Sequence, residues 1–130
     1  MRITQEILDN LIAQAKSSER LRMSLDLRTS ADDQSQRMLN AVEPGTPIPI
    51  HRHRTSSETV VIVRGRLIER LYNDAGVRTE EILMEVGGCC PVLQIPAGQW
   101  HDIEVLESGT VIFEAKNGAY APIAEEDLMK

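Results

Sequence analysis

Apolar residues near the start of the chain recur first at helical spacing and then at every second position. The helical spacing over residues 4–16 predicts an amphipathic helix, with Thr4 as its N-cap. The alternation over residues 20–29 predicts a half-buried strand, and after a polar turn residues 35–42 are again typical of a strand. The apolar face of the predicted helix carries Ile7, Leu8, Leu11, Ile12 and Ala15.

Beyond residue 44 the pattern changes to short apolar runs separated by turn residues. A spacing of about ten residues with turn signals between the runs predicts an all-β sandwich or barrel. The tail over residues 118–130 is polar and acidic, and a short helix is predicted from Ala124. The apolar runs cover residues 48–50, 59–63, 67–72, 82–86, 92–95, 103–106 and 111–115.

The length of 130 residues favours one domain with its own core. We expect residues 1–34 to form a helix and strand that pack on a barrel, residues 35–117 to form the barrel, and residues 118–130 to form a tail. Aromatic residues make up only 3% of the chain, so aliphatic side chains and methionine must fill the core.

The formal net charge of −6 disfavours a nucleic-acid partner, because phosphate binding requires clustered Lys and Arg. No apolar run approaches the roughly 20 residues of a membrane span, so no membrane partner is predicted. The first residues do not resemble a secretion signal, which predicts a cytoplasmic protein. We interpret the adjacent Cys89 and Cys90 as reduced, small hydrophobic residues, since they lack the spacing of a metal-binding pair.

All three histidines of the chain lie in two short windows. His51 and His53 are two residues apart on a predicted strand, so their side chains point to the same face. Glu58 begins an apolar strand, where a carboxylate is costly to bury unless it is paired or binds a metal. His101 follows a Pro-Ala-Gly turn. The ordinary alternative is a set of surface histidines on loops, but the joint pattern favours a metal site.

Three imidazoles and one carboxylate suit one divalent transition metal ion: zinc, iron, manganese, nickel or copper. Four protein ligands leave coordination positions open for water or a substrate, so the predicted site of His51, His53, Glu58 and His101 could be catalytic.

These windows resemble the two motifs of the cupin family. Gly45, His51, His53, Glu58 and Gly65 have the spacing of the first motif at every fixed position. The stretch from Pro96 to His101 is similar to the core of the second motif. That motif has Gly where this chain has Cys90, and Asn where it has Val105. The resemblance implies a mainly β, single-domain cupin fold, a double-stranded β-helix or jelly-roll barrel, with an N-terminal helix.

A closer resemblance extends over nearly the whole chain, to the WbuC family of cupin-fold metalloproteins. It rests on residues 36–46, 51–53, 95–101 and 113–122, although Arg54 stands where that family commonly has Pro. WbuC proteins are encoded in bacterial surface-polysaccharide (O-antigen) gene clusters. The resemblance therefore implies a small polar or sugar-type ligand.

Further polar residues of these family-like stretches are candidates for the lining of the metal pocket. Alternation places Arg37 and Asn40 on opposite faces of their strand, whereas Glu114 and Lys116 share a face and could form an ion pair. Trp100 should point away from His101, toward the helix or a second subunit. The candidate pocket residues are Arg37, Asn40, Glu114, Lys116 and Tyr120.

The sequence is compatible with three functions. The first is a metal-dependent isomerase or epimerase, hydrolase or oxygenase. The second is a non-catalytic sensor or binding module for a small molecule, and the third is a barrel with a vestigial site. The apolar helix face and an exposed sheet edge also predict a homodimer.

Overall fold

The computed structural model describes residues Met1–Lys130 and contains one α-helix, eight β-strands and a short 3-10 helix. The helix α1 spans Gln5–Ser17 and the 3-10 helix spans Glu125–Asp127. The strands are β1 (Arg22–Asp26), β2 (Ser35–Val42), β3 (Glu58–Arg64), β4 (Arg66–Tyr72), β5 (Arg78–Glu85), β6 (Val92–Ile95), β7 (Trp100–Val105) and β8 (Thr110–Asn117).

The strands form two antiparallel sheets. The larger has the order β1-β2-β8-β3-β6 and the smaller has the order β5-β4-β7. Apolar side chains of β3, β6 and β8 pack against those of β4 and β5 and form the core between the sheets: Val60, Ile62, Leu67, Met84, Ile95 and Ile112. The prediction of a mainly β fold with an N-terminal helix is confirmed.

Helix α1 covers the other face of the larger sheet. Its N-terminus is capped by Thr4, whose hydroxyl accepts a hydrogen bond from the backbone N–H of Ile7. Leu8, Leu11 and Ala15 are buried against Leu39, Ala41 and Val111 of the sheet in a second apolar cluster. The apolar face of α1 is therefore satisfied within the chain.

Two predicted strands differ from the structure for local reasons. The first strand begins only at Arg22, because Leu21 adopts a left-handed conformation (φ 56°) and closes a turn on the carbonyl of Ser18. Residues 48–50 form no strand, because Pro47 and Pro49 lack the N–H groups that a ladder requires.

The tail returns to the barrel at both of its ends. The N–H of Gly118 donates to the carbonyl of Gln34, and the N–H of Met129 donates to the carbonyl of Ile50. The predicted short helix after Ala124 is present as the 3-10 helix. No helix in the structure is long and apolar enough to cross a membrane.

Candidate metal centre

The three histidine rings meet on the inner side of the smaller sheet. The backbones of His51 and His101 form an antiparallel bridge, with N–H to carbonyl distances of 3.0 and 2.9 Å. Their ring centroids are 4.3 Å apart, and the centroid of His53 lies 5.2 Å from that of His51. One ring nitrogen of each histidine lies within 4.8 Å of the others. This spacing is suitable for a shared metal ion.

Backbone carbonyls fix the tautomers of two of these rings. Nδ1 of His51 is 2.8 Å from the carbonyl oxygen of Pro49, and Nδ1 of His101 is 2.9 Å from that of Gln99. Because a carbonyl only accepts, the neutral form of each ring carries its proton on Nδ1 and keeps a free lone pair on Nε2. Burial, together with the nearby His101, lowers the pKa of His51 to about 4, so its imidazole is neutral at pH 7.

Glu58 directs a buried oxygen at this cluster. The residue is 3% exposed, and its Oε2 lies 3.3 Å from Nε2 of His53 and 3.5 Å from Nε2 of His101. This oxygen has no hydrogen-bond partner. A buried unpartnered carboxylate oxygen beside imidazole lone pairs fits a cation, so the donor set fits a divalent metal ion.

The protonation of Glu58 depends on its neighbour Glu114. Burial would raise the pKa of Glu58, but its interaction with Glu114, followed by those with His101 and His53, holds it well below its usual range. Burial, followed by the charge of Glu58, raises the pKa of Glu114 well above its usual range. The two carboxyl groups therefore hold one proton between them: Glu114 is the acid and Glu58 the carboxylate.

Of the five other candidate pocket residues, two line the cavity beside the histidines and three do not. Glu114 and Lys116 line a cavity of about 180 Å³ together with the histidines. Asn40 lies behind Glu114 and donates to its Oε1 at 2.6 Å. Arg37 lies outside this cavity and pairs with Asp33 at 2.9 Å. Tyr120 is 55% exposed and lines an adjacent cavity of about 290 Å³, which shares His53, Lys116 and Ile123 with the first.

Trp100 points away from His101, as alternation predicts, and its polar contacts are with Asp74 and Arg52 rather than with the helix. Its Nε1 donates to Asp74 at 3.0 Å, and the guanidinium of Arg52 lies 4.5 Å from its ring centroid. Arg52 and Arg54 both donate to Oδ1 of Asp127. These contacts fasten the tail beside the histidine segment.

Sequence reasoning missed a buried acidic residue of this cavity, Glu69. It is 2% exposed, lines the same cavity as the histidines and lies on β4 among apolar neighbours. The signal was present in the sequence, because alternation along β4 places Glu69 on the inner face together with Leu67. The two charged residues next to each other, Glu69 and Arg70, obscured that alternation.

The family model described as a domain of unknown function, DUF6016, matches residues 3–84. This range includes His51, His53 and Glu58 and covers more than half of the chain. The chain belongs to the DUF6016 family. No curated protein matches the chain significantly.

Several solved structures share the fold of this DUF6016 member. The capsular polysaccharide assembling protein CapF from Staphylococcus aureus aligns with a TM-score of 0.68 and 23% identity, over 86% of this chain and 32% of CapF. KdgF from Halomonas sp. aligns with a TM-score of 0.61 and 12% identity, over 80% and 85% of the two chains. Oxalate decarboxylase from Bacillus subtilis aligns with a TM-score of 0.59 and 15% identity, over 84% and 27%.

These neighbours are cupin-fold proteins, and the DUF6016 chain has the cupin fold. The chain spans about a third of the length of CapF, so the likeness concerns one part of that protein. At these identities the comparison establishes the fold only.

Proposed function

We propose that the protein is a cupin metalloprotein that holds one divalent transition metal ion through His51, His53, Glu58 and His101. The observation that carries this proposal is a cluster of three imidazole nitrogens within 4.8 Å of one another, with the buried, unpartnered Oε2 of Glu58 within 3.5 Å of the Nε2 atoms of His53 and His101. A bound ion of this kind would supply a Lewis acid to a ligand oxygen. The protein's own groups would orient that ligand within a cavity of about 180 Å³.

We further propose that the ligand is a small polar or sugar-type molecule of bacterial surface-polysaccharide metabolism, in the cytoplasm. The resemblance to the WbuC family supports this setting, and so does the likeness to CapF, which is named for capsular polysaccharide assembly. The mixed lining of the cavity suits such a ligand, because it combines carboxyl and amine groups with isoleucine side chains.

Metal content tests the first proposal. Protein purified without added metal should contain about one transition metal ion per chain by elemental analysis, and His101→Ala should lose it while the far-UV spectrum stays unchanged. Glu104→Gln is the control, because this carboxylate lies on the same strand but pairs with Arg70 at the surface. Full metal content in His101→Ala would contradict the proposal. The identity of the ion also bears on the chemistry, since iron favours oxygen chemistry and zinc favours Lewis-acid chemistry.

A thermal-shift screen tests the proposed ligand class. Monosaccharides and nucleoside-diphosphate sugars should include at least one compound that raises the melting temperature of metal-loaded wild-type protein but not of His101→Ala. A panel without any such compound would argue against the sugar assignment and leave the metal assignment standing.

We also propose that the protein is a homodimer. Because the apolar face of α1 is buried within the chain, the contact would involve exposed sheet edges such as β5 or β6. Light scattering should give twice the chain mass of 14.5 kDa, and a mass near 14.5 kDa at micromolar concentration would contradict it.

A further inference from the structure

Two buried side-chain oxygens in the structure have no hydrogen-bond partner, and both belong to residues of the same cavity. One is Oε2 of Glu58, which the proposed metal ion accounts for. The other is Oε2 of Glu69, and Glu69 forms no ion pair with a histidine. An orphaned buried carboxyl oxygen is destabilising and calls for a specific explanation.

Glu69 is surrounded by groups that disfavour its charge. Burial, followed by the negative charges of Glu58, Glu114 and Asp102, raises its pKa well above the usual range of a carboxyl group. Its carboxyl group is therefore a neutral acid, and its Oε2 has no hydrogen-bond partner within the chain.

The fold treats another buried glutamate quite differently. Glu43 is 7% exposed, and its two oxygens accept hydrogen bonds from the hydroxyl of Ser108 at 2.5 Å and the N–H of Gly109 at 2.6 Å. These hydrogen bonds to Glu43 stabilise the turn that contains Ser108 and Gly109. Glu69 secures no element of the fold, which points to a partner that comes from outside the chain.

We propose that Glu69 contacts the ligand of the metal site and donates a hydrogen bond from its carboxylic acid to a carboxylate or carbonyl oxygen of that ligand. The proposal rests on the proposed metal site, since both groups line one cavity. The cavity volume of about 180 Å³ is below the 300–1,000 Å³ of drug-sized pockets. The part of the ligand that enters the cavity is therefore small.

Acetate is the probe, and Co²⁺ is the metal that reports its binding through the visible spectrum. Acetate should perturb the spectrum of Co²⁺-loaded wild-type protein at pH 7. Glu69→Met, which keeps the length of the side chain but has no donor, should weaken acetate binding by about tenfold or more. Glu69→Gln, whose amide still donates, should stay close to wild type. Both variants should take up Co²⁺ with wild-type stoichiometry.

Stability gives a second readout that requires no metal. In chelator-treated protein, Glu69→Met should melt at or above the temperature of wild type, because it removes an unpartnered buried acid. Glu43→Met is the matched control and should melt below wild type, because it removes a carboxylate that the fold uses.

The outcomes separate this proposal from the metal assignment. Failure of wild-type protein to bind Co²⁺ would overturn the metal site. Normal Co²⁺ uptake without acetate binding, or with equal acetate affinity in wild type and Glu69→Met, would overturn the role of Glu69. A loss of melting temperature in metal-free Glu69→Met as large as in Glu43→Met would also overturn it, because Glu69 would then be a structural residue.

Discussion

Four buried or largely buried glutamates show how environment decides the state of one residue type. Glu43 is paired by a hydroxyl and a backbone N–H, and Glu58 lies beside the imidazoles of His53 and His101. Glu114 shares a proton with Glu58, whereas Glu69 has no partner. The same side chain therefore secures a turn, offers a metal ligand, lowers the pKa of that ligand or lines the cavity without a hydrogen-bond partner.

A chain of polar contacts connects the metal cluster to the far edge of the larger sheet. The hydroxyl of Ser24 donates to Oδ1 of Asn40, and Nδ2 of Asn40 donates to Oε1 of Glu114. Glu114 in turn interacts with Glu58 and lowers its pKa. These four residues lie on β1, β2, β8 and β3, which are successive neighbours in the sheet. Each member fixes the orientation of the next, so Asn40 positions Glu114.

We expect Asn40→Ala to weaken both stability and metal binding. The substitution leaves Oε1 of Glu114 without its donor, which should destabilise the fold by about 1–3 kcal/mol. It should also lower metal affinity, because Glu58 loses its fixed neighbour. Denaturant unfolding and competition with a chromophoric chelator measure the two effects. Ser24→Ala, one contact further from the cluster, should have the smaller effect, and equal effects of the two variants would contradict a positional chain.

The sequence suffices to predict the candidate ligands but not their supporting residues. Two histidines at i and i+2, a glutamate at a strand start and a histidine after a turn are local patterns. The contact between Asn40 and Glu114 joins residues 74 positions apart, and it depends on β2 and β8 being neighbours. No local pattern carries that order. The position of Arg37 is equally hard to predict, because its partner Asp33 lies in a turn that apolar periodicity does not describe.

At the scale of elements, apolar periodicity predicts the ends of a helix or strand well where one of its faces is buried, and poorly where neither face is buried. The structure places β2 at Ser35–Val42, as predicted, and shifts α1 by a single residue. In contrast, β5 begins at Arg78 rather than at residue 82, because the first part of this edge strand is exposed and polar. Backbone pairing with β4 makes it a strand without any apolar signal.

The turn between β3 and β4 needs glycine for two separate reasons. Gly65 has φ 74°, and a Cβ at this position would lie 2.7 Å from Cα of Thr110. Contact with backbone atoms leaves no flexible side chain that could move away. This geometry explains why the first cupin-like motif has a glycine at this position.

We expect Gly65→Ala to destabilise the protein by at least about 2 kcal/mol, because it combines a left-handed conformation with a backbone clash. Gly87→Ala is the matched control, since Gly87 has φ 76° and open space around its missing Cβ. The control should lose only about 1 kcal/mol. Denaturant unfolding of both variants checks the difference, and equal losses would show that the approach to Thr110 is unimportant.

At the scale of the whole molecule, the site depends on both sheets at once. Glu58 and Glu114 come from the larger sheet, whereas Glu69 and His101 come from the smaller one. The two remaining histidines lie on an irregular segment between β2 and β3. A bound ion would therefore link the two sheets, and its release should be visible in global stability.

We expect the stabilisation by metal to disappear on acidification. Binding requires neutral imidazoles, whose reference pKa is about 6.5, and protons compete as the pH falls below roughly 6. In metal-free protein the folded-state pKa of His51, about 4, lies below its unfolded value of about 6.5. The free energy of unfolding therefore also decreases as the pH falls from about 6.5 to about 4. That loss affects both forms, but only the loaded protein additionally loses its metal.

Melting curves from pH 7.5 to 4.5, with and without chelator, measure this difference. The gap in melting temperature should be largest at pH 7.5 and close steeply below about pH 6, because several protons enter as one ion leaves. A gap that stays constant over the whole range would mean that the three histidines do not jointly hold a metal.

The segment that carries His51 is held on both sides, by β7 through His101 and by the tail through Leu128. The N–H of Arg52 donates to the carbonyl of Asp127, and the N–H of Met129 donates to that of Ile50. Local opening of these backbone contacts would separate His51 from the other ligands, so a bound ion should suppress the opening. Deuterium exchange at the amides of Arg52 and Met129 should therefore slow on metal loading, while exchange within α1 stays unchanged. The last residues of the chain thus report, through their backbone amides, whether a site that they do not ligate is filled.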